Sequence, residues 1–201
     1  MEKELETEEQ ILLAAKLVFQ QHGFAGARMQ AIADKAGINK SMLHYYFRSK
    51  DKLFQKVFQK SMRQFFPEIF NVLNSDLELK PKVEKLVETY YGIFEKEPYL
   101  PRFVIHEMNQ HPERFKKFIH NSGIKIPERF VDQIHMEIKS GSIIEIDPKE
   151  FIINTIGLCV FPLIARPMIE TLFDMNEERY KQFLNKRKKG LPKFILNAVK
   201  K

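Results

Sequence analysis

The chain has no tryptophan, one cysteine and eight glycines, and none of its ten prolines falls in the first 66 residues. A lone cysteine, Cys159, excludes an intrachain disulfide and a cysteine metal cluster. Set among Ile156, Leu158, Val160 and Phe161, it reads as a buried, inert thiol. The glycine and proline content excludes a collagenous or low-complexity chain. Long apolar runs are also missing. The longest charge-free stretch, Phe151 to Ala165, is fifteen residues and holds Asn154 and Pro162, against the roughly twenty that a membrane span needs. The opening residues are acidic where a signal peptide is basic and then apolar. The expectation is a soluble protein of the cytoplasm.

Catalytic signatures are scarce too. His106 and His111 flank Glu107 but stand five apart, about 140° around a helix, whereas a zinc-protease helix needs a spacing of four. The segment from Gly23 to Gly26 lacks the preceding strand and the basic or hydroxyl terminus of a phosphate loop. No catalytic residue, metal or cofactor is therefore expected, and the chain is read as something other than an enzyme.

What is present is an ordinary globular composition, 44% hydrophobic and 29% charged over 201 residues. The formal net charge is +7, unevenly spread. The last 21 residues carry eight cations and no acid, a run expected to be a solvated helix face. A second basic stretch, residues 20–60, sets Arg28, Lys35, Lys40, Arg48, Lys50, Lys52, Lys56 and Lys60 against only Asp34 and Asp51. A basic stretch is one footprint of a polyanionic partner.

Apolar spacing predicts an all-α protein. Thr7 to Gln10 has the form of a capping box, and Ile11, Ala14, Ala15, Val18 and Phe19 follow on one helix face, up to Gly23. A short helix is expected from about Arg28 to Ala36, a third from Asn39 to near Tyr46, and a fourth from Ser49 to Phe66. Beyond them the helical pattern continues, punctuated by the ten prolines. The strand-like piece from Ile143 to Ile146 is too short for a sheet. The expected organisation is an N-terminal domain, 1–50, and a larger helical domain, 51–201.

Residues 28–46 carry a helix-turn-helix spacing: small Ala33, then Gly37 four residues on, then apolar Leu43 six after that. Ala33 lets two helices approach, Gly37 permits a left-handed turn, and Leu43 pins the second helix to the core. Lys40, Ser41, His44 and Tyr45 then face outward, with groups suited to base edges and phosphates. On spacing alone, an ordinary helical corner with a polar face satisfies the same pattern. Lys50 and Lys52 sit in the first turn of the fourth helix, where cations are disfavoured unless an anion binds beside them.

Gly23-Phe24, Met29, Ile32-Ala33, Ala36-Gly37-Ile38, Lys40, Leu43, Tyr45-Tyr46-Phe47, Ser49-Lys50 and Leu53 together resemble the N-terminal signature of the TetR family of transcriptional regulators. The resemblance covers about residues 8–54. It implies a recognition helix with Asn39, Lys40, Ser41, Met42, His44, Tyr45 and Tyr46 as DNA-contacting positions, and Lys50 as a phosphate contact. Arg28 and Gln30, at the first short helix, complete the expected DNA-facing set. Ala27-Arg28 stand where the family often has a Thr or Ser cap, Ser41 where many members have Gly, and His44 where many have Tyr. The resemblance also implies a C-terminal domain that dimerises and often encloses an effector pocket. The belt from Phe151 to Ile164, with Leu191, Phe194, Ile195 and Ala198, is the expected two-fold interface. Aromatic residues with polar tips suggest Tyr90, Phe94, Phe103 and His106 as contacts for an apolar small molecule. The implied protein is a homodimer on double-stranded operator DNA, read as a repressor that such a ligand releases.

Overall fold

The computed structural model describes residues 2–201, with side chains from Leu5 onward. Eleven helices and no strand are found among the described residues, as the apolar periodicity predicts. The strand-like piece contributes only an isolated bridge, Ile143 to Lys200. No single described helix is long and apolar enough to cross a membrane.

The chain forms two compact units. One comprises Met1–Gln64 with Arg102–Ile119, the other Phe65–Pro101 with His120–Lys201. Helix α1, Glu2–Gly26, begins ahead of Thr7, so the expected capping box lies within a helix. Good helix formers such as Leu5, Glu6, Glu8 and Glu9 carry the helix through that position. The regular helix breaks where the sequence places its end: Gly23 has φ 66° and ψ 178°, a conformation open to glycine and costly for other residues.

Helices α2 (Met29–Lys35), α3 (Lys40–Tyr46) and α4 (Lys50–Asn74) follow. Ile11, Ala15 and Phe19 of α1, Ile32 and Ala33 of α2, Leu43 of α3 and Leu53 and Phe54 of α4 are all buried. The Phe54 ring meets those of Phe19 and Phe24 edge-on, at 5.1 and 5.0 Å. Helix α4 continues through Pro67 to Asn74, past its expected end at Phe66. Proline removes one ladder hydrogen bond and discourages helix, but Ile69, Val72 and Leu73 beyond it have burial to gain. The first unit also takes in most of α6 (Leu100–Gln110) and α7 (Pro112–Asn121).

In the second unit, α5 (Leu79–Lys96) buries Val83, Leu86, Val87, Tyr90, Tyr91 and Phe94. It packs chiefly on α11 (Glu177–Val199), and α9 (Pro148–Ile164) packs on α5, α8 (Glu128–Ser140) and α10 (Arg166–Leu172). Proline marks the first turn of α5, α6, α7, α9 and α10, where a missing N–H costs nothing. Inside α9, Pro162 has no N–H for the Leu158 carbonyl, and the Arg187 Nη2 donates to that oxygen at 2.9 Å. The expected two-fold face needs correcting. Leu191 and Ile195 are 3% and 5% exposed, turned into their own protomer, whereas Phe194 is 60% exposed. Helix α9 is also not buried on every side: Ile153 and Phe161 are exposed.

Candidate nucleic-acid interface

The turn between α2 and α3 is closed by backbone bonds. The Gly37 N–H donates to Asp34 O at 3.2 Å and the Ile38 N–H to Ala33 O at 3.0 Å, with Gly37 at φ 69°. This is the two-bond helix ending that glycine favours. Asn39 then caps α3, its Oδ1 accepting from the Met42 N–H at 2.7 Å. Arg28 precedes α2 with no side-chain cap, as the absence of Ser or Thr there predicts. Ser49 closes the next start: its Oγ accepts from the Lys52 N–H at 3.2 Å. Three local devices thus fix α2, α3 and the head of α4 against one another.

Leu43 is fully buried and anchors α3 to the core. Asn39, Lys40, Ser41, Met42, His44 and Tyr45 are exposed, Tyr45 to 77%, and Tyr46 is half-buried. One helix therefore presents a cation, a hydroxyl, an imidazole and a phenol on a single surface. Arg28 and Gln30 are exposed beside it, with Gln30 Nε2 donating to Asp34 Oδ1 at 2.7 Å. Lys50 behaves differently. It is half-buried, and its Nζ donates to Ala27 O at 3.1 Å and Ala25 O at 3.3 Å and lies 4.7 Å from the Phe24 ring centroid.

Residues 11–57 match the model of the bacterial regulatory proteins of the tetR family. Over this N-terminal segment the chain is similar to the TetR family. Among its relatives, the transcriptional activator FasR of Mycolicibacterium smegmatis is 30% identical over 43% of this chain and 39% of its own length. The transcriptional repressor NicS of Pseudomonas putida is 45% identical over 26% of this chain and 25% of its own length. These curated TetR-family relatives are thus matched over well under half of their length, and they carry the names of regulators rather than enzymes. Among solved structures, the fatty acid degradation regulator FadR from Bacillus halodurans superposes with a TM-score of 0.66 at 18% identity, covering 94% of each chain. That likeness is one of fold.

The four residues expected at an effector site fall in different units. Tyr90 and Phe94 are buried in the second, their rings 5.8 Å apart, with Phe65 beside both. Phe103 and His106 belong to the first. There the Phe103 ring packs on Phe54 and Phe58, and His106 on Phe24 and Phe54. The same unit holds a polar chain that sequence reasoning missed. Arg114 of α7 donates through Nη1 to Asp51 of α4 at 2.8 Å and through Nε to Glu107 of α6 at 3.0 Å. Glu107 is 1% exposed and its Oε2 has no partner, and burial raises its pKa against the pull of Arg114. No sequence spacing links residues so far apart. Among the described residues, no cluster of His, Cys, Asp or Glu could hold a metal ion.

Proposed function

We propose that this protein is a sequence-specific DNA-binding transcriptional regulator of the cytoplasm, acting as a homodimer on double-stranded operator DNA. The carrying observation is α3, with Leu43 buried beneath it and Lys40, Ser41, Met42, His44 and Tyr45 exposed above. A helix of this kind fits the major groove, where Ser41 and His44 reach base edges while Lys40, Tyr45 and Arg28 reach phosphates. Asn39, Gln30 and Tyr46 border the surface.

The dimer reading is supported by unpartnered apolar side chains on the second unit. Ile153 and Phe161 of α9, Leu172 and Phe173 at the end of α10, and Phe194 of α11 are each at least 56% exposed. Gly157 lies between the two α9 residues, so a second backbone could approach closely there. In a dimer the two recognition helices stand about 34–36 Å apart when they enter successive turns of DNA.

The regulation proposed is repression released by a small apolar molecule bound in the second unit, with Tyr90 and Phe94 as aromatic walls. The names of the relatives include an activator and a repressor. Repression is favoured because a dimer sitting on an operator obstructs transcription without a further contact. Release requires that the ligand bind two conformations with different affinity. Selection of bound duplexes from a random pool tests the reading. The expected result is a two-fold symmetric sequence. Equal retention of all sequences would overturn it.

A further inference from the structure

The TetR-family pattern gives the lysine at the head of α4 to a DNA phosphate. Here that lysine is already engaged. An ammonium has three donors, and Lys50 directs bonds at the Ala25 and Ala27 carbonyls while the Phe24 ring takes up part of its charge. The carbonyls belong to the end of α1, just beyond the break at Gly23, where helix ends leave acceptors without ladder partners. A cation is favourable at such an end. Two of its three donors are used and the ring covers a third side, so at most one donor is left for a phosphate oxygen.

Three cations near the head of α4 are not so engaged among the described residues. Arg48, Lys52 and Lys56 are exposed, and none has an ion-pair partner among the described residues. With Tyr45 and Tyr46 they line a concavity of about 520 Å³ that begins at the end of α3 and follows the first turns of α4. Among the described residues, Glu8 is the one acid on its wall. Lys52 and Lys56 lie four apart on one helix face, a like-charge pair that is unfavourable until an anion sits beside it. The concavity also opens next to Tyr45, so a strand whose bases meet α3 would continue past these cations.

We infer that Arg48, Lys52 and Lys56 form the DNA-backbone grip of this protein, and that Lys50 is a positioning residue latching α4 to the end of α1. The inference rests on the DNA-binding reading above. The lysine expected to touch phosphate is engaged by the fold, and three cations beside it, unpaired among the described residues, share one groove.

The test is binding of the full chain to its selected duplex and to a random duplex across a range of salt, with thermal midpoints alongside. Lys52→Ala and Lys56→Ala should each flatten the slope of log affinity against log salt by about 1.8 on both duplexes, the loss of one phosphate contact from each protomer of the dimer. Their midpoints should match wild type. Lys50→Met should keep the wild-type slope and lower the midpoint, and Lys50→Arg, which can still donate to both carbonyls, should recover part of that loss. If Lys50→Met fails to fold, the slopes of the Lys52 and Lys56 variants still decide. A wild-type slope in both, or a Lys50→Met protein with a normal midpoint and a slope flattened by one contact per protomer, would overturn the inference while leaving DNA binding intact. A wild-type chain that retains neither duplex at low salt would overturn the regulator reading and this grip together.

Discussion

Local caps close helix starts in both units, Asp147 and Asn176 serving α9 and α11. The units differ in how often distant side chains close carbonyls, which in the first only Lys50 is described as doing. In the first, the caps at α3 and α4 reach three residues: Asn39 to Met42 and Ser49 to Lys52. In the second, several long side chains arrive from elsewhere in addition to the local caps. Lys82 donates to the Leu73 carbonyl at 3.2 Å, the Tyr180 hydroxyl to the Pro162 carbonyl at 3.0 Å, and Arg187 to the Leu158 carbonyl. Each of these acceptors lacks a ladder N–H, either in the last turn of a helix or opposite a proline. Burial satisfies a carbonyl only if some donor reaches it. A surface for reading DNA needs a rigid backbone and free side chains, which local caps supply. A body built from proline-interrupted helices uses its side chains to mend its backbone.

The largest effect should come from the second kind of closure. Arg187→Leu leaves the Leu158 carbonyl without a donor and should cost about 1.5–3 kcal/mol, the range for a hydrogen bond to a charged group. Chemical denaturation of the variant measures it, and a loss no larger than that of a surface substitution would erase the contrast between the units. Asn39→Ala removes a local cap and should cost less, about 1 kcal/mol. Its secondary consequence should be larger than its energy suggests, because the start of α3 frays and affinity for a selected duplex falls.

A pH effect sharpens the comparison inside the first unit, at the one buried carboxylate among its described residues. Glu107 has its pKa raised above the ordinary 4.5, chiefly by burial. The folded protein therefore holds the proton more tightly than the unfolded chain does. Stability from this group is present below pH 4.5 and is lost as pH rises from there through the folded value. Glu107→Gln should remove that decline from the pH profile of the unfolding free energy. A profile unchanged by the substitution would place the decline on another group. The smallest effect is expected at Cys159, which is fully buried with its thiol pushed up to about 12. A thiol reagent at pH 8 should label it only at the rate of unfolding.

The contrast between local and distant closure also explains what could be read in advance. The turn at Gly37, the cap at Asn39, the anchor Leu43 and the exposed face of α3 follow from spacings of a few residues. The start of α1 was misplaced because Thr7 to Gln10 fits a cap and a helix interior equally well. The extension of α4 past Pro67 depends on burial of Ile69 and Leu73, which no local pattern states. The engagement of Lys50 joins residues 23 and 25 positions apart, and the Asp51, Arg114 and Glu107 chain spans more. Arg48 and Lys56 were visible as charge, but the groove that gathers them with Lys52 appears only when the helices are assembled. The side of α11 that turns outward depends equally on packing: Phe194 lies there, Leu191 and Ile195 do not.

Base reading by α3 is tested most directly by one competition experiment. Wild type, Ser41→Ala and His44→Ala are each allowed to select duplexes from the same random pool, and the enriched sequences are compared. A lost base contact should change preference at its own position by about 1–3 kcal/mol, so each variant should enrich a sequence altered at the same few base pairs in both half-sites. Enrichment of one unchanged sequence by all three proteins, with affinity for every duplex lowered alike, would contradict α3 as the helix that reads the bases.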